Sequence, residues 1–383
     1  MIVVKNESDG PGVRAIVIGV GRYPNAQQWN LRDLSSATVS ALEFALWLKE
    51  NLNYPDRPLK YLDVIISQPE NWQEPEEINS KKRRLSPSWD YETTQFNNIK
   101  QAIENWRAQF EYESSRNDVA IFYFCGHGIE HEGVIALLAE DFEAREQDTE
   151  FYNTSLDLRK FHQGTARLTA RNKYFFIDSC RSDPPQLEGY QINPNPVINP
   201  EVGRKHPGDA PIYFATKEGE QAWGQPNEVA QFTNAIIRAL NGAAGDRGRY
   251  DSETRWVVKG SELLKGIRAI LNSALSSGNN TNQKADIENF PEETIIHVPR
   301  DNAQIPVKVT WTANWTSVFF ENLKTQERVV ISDGTNPLII SALDIPNPTG
   351  IVKPCGIRNC GTIESFDSDI QPLQPPMLKY DFQ

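Results

Sequence analysis

Along the first two-thirds of the chain, short unbroken apolar runs alternate with stretches whose apolar positions recur every three or four residues. The runs Arg14–Val20, Tyr61–Ile66, Asp118–Phe124, Lys173–Ile177 and Pro211–Thr216 are too short for core helices and read as strands buried on both faces. Between them, Asp33–Glu50 places Ala37, Ala41, Phe44, Ala45 and Leu48 on one side of a predicted helix. Thr94–Tyr112 does the same with Ile99, Ala102, Ile103 and Trp106, and Ser155–Leu168 reads as a short helix. Further helices are expected at Glu228–Leu240 and near Lys259–Ala274, and a last edge strand at Ile295–Val298. Strand–helix alternation of this kind predicts an α/β fold, a mostly parallel sheet with helices on both faces.

The pattern changes after residue 298. Val307–Trp311, Val318–Glu321, Arg328–Ser332 and Leu338–Ala342 are short β-rich runs separated by turn clusters such as Ser332–Gly334 and Pro346–Gly350. The expected organisation is an N-terminal extension (1–11), a large α/β domain (12–298), a linker (299–304) and a small antiparallel β domain (305–383). The proline-bearing tail from Gln371 is read as irregular. Two stretches read as exposed loops: Pro69–Asp90, with the basic run Lys81–Arg84, and the proline-rich Ser182–Ala210.

Composition narrows the possible functions. The chain has 383 residues, with 39 Lys and Arg against 51 Asp and Glu, a formal net charge of −12. That balance argues against a nucleic-acid partner, which needs a basic face to neutralise phosphates. No apolar run approaches the roughly 20 residues that span a bilayer, and Met1–Pro11 lacks the apolar core of a signal peptide, so no membrane role is expected. Four cysteines are too few for a disulfide scaffold, and a cytoplasmic protein is the expectation.

Ligands of parallel α/β sheets bind beyond the carboxyl ends of the strands. His127 follows the third predicted strand in Phe124-Cys125-Gly126-His127-Gly128, and Cys180 follows the fourth in Ile177-Asp178-Ser179-Cys180-Arg181. Singly, each fits a bland reading: an ordinary glycine turn, or a buried thiol. Together at the ends of neighbouring strands they fit thiol catalysis, in which a thiolate attacks and an imidazole moves the proton. The amides of Gly128 and Cys180 could hold an oxyanion, and Gly126 and Gly128 permit unusual backbone angles and close substrate approach.

On Tyr123-Phe124-Cys125-Gly126-His127-Gly128, Phe176-Ile177-Asp178-Ser179-Cys180-Arg181-Ser182 and Gln231-Phe232-Thr233-Asn234-Ala235-Ile236-Ile237, residues 12–298 resemble the caspase-like cysteine peptidases (clan CD, peptidase C14), in their metacaspase and bacterial branch. The histidine about 50 residues ahead of the cysteine matches a known caspase spacing. The resemblance implies a caspase-like fold and a cysteine endopeptidase with a His127–Cys180 dyad. It also implies peptide or protein substrates laid as an extended strand along the sheet edge. Asp178 stands where metacaspases place an S1 aspartate for arginine or lysine. Their second S1 aspartate, in an Asn-Asp-Ala motif, is replaced here by Ser35 and Ser36, with Asp33 as a substitute or a plain helix N-cap. Arg204–Lys205, or Arg83–Arg84, are then candidate sites of autoprocessing.

No cofactor or metal is expected. Calcium is left open, because Asp141, Glu143 and Glu146 are acidic but fix no site. His131 reads as part of a solvated hairpin turn, His297 and Cys125 as packing residues, and His162 and His206 receive no role. Cys355 and Cys360 read as a hairpin disulfide or two free thiols, since a zinc knuckle needs a second pair. Residues 305–383 are a candidate surface for a regulatory partner. Family analogy points to a regulated proteolytic pathway of the cell-death or defence kind. The competing readings are a catalytically silent scaffold acting through the β domain, and a thiol acyltransferase on a similar sheet.

Overall fold

The buried strands follow from what their residues can do. Val13–Gly19 (β2), Leu59–Ile66 (β3), Val119–Cys125 (β4), Asn172–Asp178 (β8) and Ile212–Phe214 (β9) are nearly continuous in apolar residues and buried almost throughout. They pair in parallel, as strands covered on both faces do. Ile2–Lys5 (β1) and Asp286–Glu288 (β12) close the two edges in antiparallel fashion, giving the order β1-β3-β2-β4-β8-β9-β12. The computed structural model describes residues 1–26, 31–110, 117–142, 153–182, 192–250, 253–275 and 283–299. Beyond these it describes only the backbone of the strands between 307 and 382.

Alternation along each strand sorts side chains onto two faces. On one face, Phe44 of Ser35–Glu50 (α1) stacks on Tyr123 at 4.5 Å and meets Phe176 at 5.6 Å. On the other, Phe122 contacts Trp106 of Phe96–Ala108 (α3) and Phe161 of Leu158–Gly164 (α4), with ring centroids 6.4 and 4.9 Å apart. A hairpin, Gly128–His131 (β5) and Val134–Leu138 (β6), rises directly from the end of β4 and pairs onward with Ser155–Asp157 (β7).

Several elements differ from the sequence expectation. The first residues, expected as an N-terminal extension, supply strand β1. The stretch read as an exposed loop at Pro69–Asp90 contains a helix, Glu76–Leu85 (α2), with Ile78 and Leu85 buried. Lys81 pairs there with Glu43 of α1 at 2.8 Å, and Lys49 of α1 donates to the carbonyls of Arg84 and Leu85. The short helix predicted from Ser155 begins as strand β7 and becomes helical only at Leu158.

The chain divides into two units, Met1–Asn234 with Gln283–Glu292, and Ala235–Asn282 with Glu293–Gln383. Gln231–Arg238 (α5) spans the first boundary in sequence. In the second unit, Gly245–Tyr250 (β10), Glu253–Lys259 (β11) and Ile295–His297 (β13) make a three-stranded antiparallel sheet beside Gly260–Leu275 (α6). The predicted edge strand at Ile295 therefore belongs to this small sheet, and the edge place in the large one is taken by β12. Farther on lie Val307–Trp311 (β14), Trp315–Asn322 (β15), Arg328–Ile331 (β16), Leu338–Ile340 (β17), Ile351–Arg358 (β18), Ile363–Ser365 (β19), Gln371–Pro372 (β20) and Leu378–Phe382 (β21). Their pairings are antiparallel except β14 with β21, so the tail read as irregular ends in a paired strand. Cys360 lies outside the described residues, and with it the reading of a Cys355–Cys360 pair.

Candidate active site

Register decides where His127 and Cys180 stand. β4 and β8 pair in parallel with Cys125 opposite Asp178, and the Gly126 amide continues to the Asp178 carbonyl at 3.2 Å. Beyond the strand ends the same offset returns, with Ile129 bridged in parallel to Ser182 and the Glu130 amide on the Ser182 carbonyl at 3.3 Å. His127 and Cys180 are midway between these fixed pairs and so stand level on adjacent segments at the carboxyl edge of the sheet. Neighbouring backbones at that spacing run roughly 5 Å apart.

The glycines are needed for space. Neither Gly126 nor Gly128 has a left-handed backbone, contrary to the expectation of unusual angles. A Cβ on Gly128 would lie 2.6 Å from Ser179 Oγ and 2.7 Å from the Cys180 carbonyl oxygen. A Cβ on Gly126 would lie 2.6 Å from Tyr23 Oη. Any side chain at Gly128 would push the two segments apart.

His127 is held by partners from far away in sequence. Its amide donates to Tyr23 Oη at 2.7 Å, and the two rings are 4.5 Å apart. Its Nε2 lies 2.8 Å from the Arg32 carbonyl oxygen. A carbonyl only accepts, so Nε2 carries the hydrogen and Nδ1 is left as the basic nitrogen. Burial lowers the imidazole pKa to about 4, so the ring is neutral at pH 7.

Cys180 is half-buried. Burial raises its thiol pKa, the Ala222 amide opposes this by donating to Sγ at 3.3 Å, and the Asp178 carboxylate adds to the rise. The thiol in turn lies 4.0 Å from the Ala222 carbonyl. Ala222 is placed by its neighbours: the Arg181 amide donates to the Glu220 carbonyl at 3.1 Å and the Gly219 amide to the Arg181 carbonyl at 2.9 Å.

Asp178 is 3% exposed and accepts from Thr233 Oγ1 at 2.6 Å and the Thr233 amide at 3.2 Å. Burial raises its pKa to about 6 against those two bonds. Ser36 lies at the start of α1, where a Cβ on Gly224 would come within 2.7 Å of its Oγ. Asp33 is occupied otherwise: Oδ1 accepts from the Tyr23 amide at 2.7 Å and Oδ2 from the Glu70 amide at 2.9 Å. It is not the N-cap of α1, which is Leu34.

Sequence reasoning missed Arg181. Its guanidinium is buried, donates to Glu130 at 2.7 Å, lies 4.3 Å over the Phe214 ring and faces Asp286 and Glu288 at 3.6 and 3.7 Å. Arg159 of α4 joins Glu130 and Glu288 at 3.1 and 2.7 Å. This cluster ties the residue after Cys180 to β5, α4 and β12. Tyr23 and Ala222 were also missed; neither carries a local sequence signal, since their partners come from other strands.

The remaining candidates are placed as follows. Arg83 and Arg84 lie on helix α2, with Arg84 ion-paired to Glu50, so the basic run is helical rather than looped. Arg204 and Lys205 lie in an exposed turn, where Arg204 donates to the Ala166 carbonyl at 3.1 Å and to Glu201 at 2.9 Å. His131 ends strand β5 and is 8% exposed, which overturns the solvated-turn reading. Cys125 and His297 are buried. His162 is also buried, bonded to the Ala210 carbonyl at 2.9 Å, with the His206 ring 4.6 Å away. Asp141 accepts from the Phe96 amide, while Glu143 and Glu146 lie outside the described residues. Among the described residues no group of three His, Cys, Asp or Glu is set to hold a metal ion. No described helix is long and apolar enough to cross a membrane.

The family model of the caspase domain, peptidase C14, matches residues 13–289. An uncharacterized protein of Sinorhizobium fredii is 27% identical over 197 residues, covering 51% of this chain and 53% of its own length. A probable protease of a Desulfuromonadales bacterium is 26% identical over 261 residues, covering 66% of this chain and 29% of its own. The chain thus spans about half or less of the length of these relatives. The crystal structure of caspase-1 from Spodoptera frugiperda superposes with a TM-score of 0.41 at 16% identity, covering 78% of this chain and 94% of that one.

Proposed function

The chain belongs to the caspase-domain family of peptidases, peptidase C14, and we propose that it is a cysteine endopeptidase working through His127 and Cys180. The observation that carries this is the strand offset that is the same before and after the two residues, which sets imidazole and thiol level at the sheet edge. In the proposed reaction, Nδ1 of His127 takes the Cys180 proton as Sγ bonds to the scissile carbonyl carbon. The amides of Gly128 and Cys180 hold the oxyanion. The imidazolium returns its proton to the leaving amine as the C–N bond breaks, and water, activated by the same imidazole, releases the acid product and the thiol. Ala222, whose amide and carbonyl face Sγ, supplies main-chain groups for an extended peptide.

Arginine or lysine is the proposed P1 residue, recognised by the Asp178 carboxylate in a pocket bordered by Ser36 and Gly224. Asp33 is not needed in that pocket, since both its oxygens already accept backbone amides. The exposed turn at Arg204–Lys205 is the favoured site of autoprocessing, ahead of helical Arg83–Arg84, because a protease reads extended chain. Residues 305–383 are proposed to recruit a regulatory partner to this cytoplasmic, pathway-bound protease. The test is cleavage of a positional peptide library by wild type and by Cys180→Ala. Cleavage after Arg or Lys that vanishes in the variant supports the reading. Equal cleavage by both proteins removes it, and cleavage only after Asp or small apolar residues removes the basic pocket.

A further inference from the structure

The segment that follows Ala222, whose amide donates to Cys180 Sγ, is anchored by partners from elsewhere in the chain. From Trp223 to Gln231 it is exposed for most of its length. Its internal bonds include the Glu228 amide to the Gln225 carbonyl and the Gln231 amide to the Trp223 carbonyl, both 3.2 Å. Its other anchors come from elsewhere in the same unit. The Asn227 amide donates to Ser35 Oγ at 2.9 Å, the Ala230 amide to Ser40 Oγ at 2.8 Å and the Trp223 amide to Gln283 Oε1 at 3.2 Å. The last anchor is the Trp72 indole, whose Nε1 donates to Asn227 Oδ1 at 2.6 Å. Asn227 has φ 64°, a left-handed backbone that asparagine tolerates better than most residues.

Trp72 belongs to a tight turn. Its amide bonds back to the Pro69 carbonyl at 3.4 Å, and Asn71 between them has φ 56°. The same turn also reaches the segment ahead of α1, because the Glu70 amide donates to Asp33 at 2.9 Å. Asp33 follows Arg32, whose carbonyl fixes the tautomer of His127. One four-residue turn therefore touches the segment that orients the imidazole and the segment that follows the thiol's partner Ala222. Its base is firm: Trp72 packs edge-on against Tyr91 at 6.2 Å, and Tyr91 against Trp89 at 5.3 Å, with Lys82 over the Tyr91 ring.

We propose that the turn Pro69–Trp72 is a clasp joining the Arg32–Asp33 segment to segment 223–231, with Trp72 a positioning residue that holds segment 223–231 in its substrate-accepting form. The inference rests on the reading of His127 and Cys180 as the reacting pair. The clasp acts on binding and not on the chemical step, because neither Trp72 nor Asn227 touches the reacting atoms. Trp72→Phe keeps an aromatic ring against Tyr91 and removes the N–H together with part of the ring area. Asn227→Asp keeps the acceptor, and Asn227→Ala removes it.

Two measurements decide the question. In hydrogen–deuterium exchange, Trp72→Phe and Asn227→Ala should speed exchange across 225–231 about fivefold or more, the equivalent of one lost hydrogen bond near 1 kcal/mol, with strands β4 and β8 unchanged. In cleavage of an arginine-containing peptide, both variants should raise KM by about the same factor and leave kcat nearly unchanged, while Asn227→Asp behaves as wild type. Unchanged exchange in Trp72→Phe, exchange that rises equally throughout the sheet, or a fall in kcat at constant KM would overturn the clasp. If exchange responds as expected but no protein cleaves peptide, the clasp stands and the peptidase reading falls.

Discussion

Tyr23 meets His127 twice: its hydroxyl oxygen lies 2.7 Å from the His127 amide nitrogen, and the two rings are 4.5 Å apart, tilted by 56°. The same hydroxyl donates to the Leu138 carbonyl at 3.3 Å, so one phenol fixes both the imidazole-bearing loop and the far strand of its hairpin. Tyr23→Phe leaves the ring contact and orphans the buried amide and carbonyl. Removing one partner of buried groups costs about 1–3 kcal/mol. Urea unfolding should show a loss of that size. Peptide cleavage should lose about tenfold in kcat if the misplaced imidazole raises the barrier by roughly 1.4 kcal/mol. Full activity in a destabilised Tyr23→Phe protein would confine Tyr23 to a structural role.

The thiol and the imidazole are both neutral at rest. Burial holds the Cys180 pKa above its ordinary value and the His127 pKa down at about 4, the reverse of a preformed thiolate–imidazolium pair. Alkylation of Cys180 by iodoacetamide should therefore rise steadily with pH up to and beyond pH 9, without a reactive plateau between pH 4 and 7. A plateau in that window, as low-pKa thiolates give, would mean that the ion pair already exists in the free protein.

Stability carries the matching sign. A histidine whose folded pKa lies below its unfolded value of about 6.5 stabilises fully above that value, and loses this share as pH falls toward the folded pKa. His127 at about 4, His206 at about 3 and the lowered His162 act together in this sense. Asp178, raised to about 6, acts oppositely and costs stability as pH rises through 6. Three groups against one predict urea midpoints that climb from pH 4 to pH 6.5. A midpoint that falls over this range would contradict the burial of the histidines.

Arg181 is worth more than its neighbour position suggests. Its guanidinium is shared by Glu130, Asp286 and Glu288 and stacks on Phe214, and Glu130 itself is 3% exposed. Arg181→Met removes one of the two cations that share buried Glu130, leaving Arg159 at 3.1 Å, and should cost about 1–3 kcal/mol. Arg181→Lys should recover only part of this, since an ammonium lacks the planar fork and the stacking face. Equal midpoints for wild type and Arg181→Met in urea would show the cluster to be energetically idle.

The central sheet and the edge position of His127 and Cys180 were legible in sequence because their signals are local. Continuous apolar runs mark strands buried on both faces, and chemistry-bearing residues right after such runs fall at the carboxyl edge. Helix α2 was not legible, because Glu76–Leu85 buries only Ile78 and Leu85 and is held by ion pairs to α1 that no local pattern shows. His131 looked like a turn residue among glutamates, yet the turn falls one step later. Glu132 and Gly133 take the left-handed angles (φ 48° and 79°), which leaves His131 in the strand. The partners of Cys180 and His127, Ala222 and Arg32, are contacts of backbone atoms across 42 and 95 residues. Backbone atoms are the same in every residue type, so composition and spacing carry no trace of them.

On the proposed reading, Asp178 serves specificity and folding with one side chain. Its Oδ2 accepts both bonds from Thr233, and Thr233 Oγ1 lies 2.6 Å from Tyr123 Oη, so a substrate cation must use the carboxylate without breaking that network. Asp178→Asn keeps an acceptor for Thr233 and removes the charge. For a P1 arginine, the loss of a charge-assisted pair should lower kcat/KM by about 100-fold, near 2.7 kcal/mol, while a neutral P1 residue is barely affected. Thr233→Val tests the other half: it frees the carboxylate from its hydroxyl partner, so Asp178, still buried, should titrate higher. Cleavage after arginine should then lose its acid limb at a higher pH than in wild type. An acid limb at the same pH in Thr233→Val, or equal losses for arginine and neutral P1 peptides in Asp178→Asn, would take Asp178 out of the specificity pocket and leave it as the anchor of helix α5.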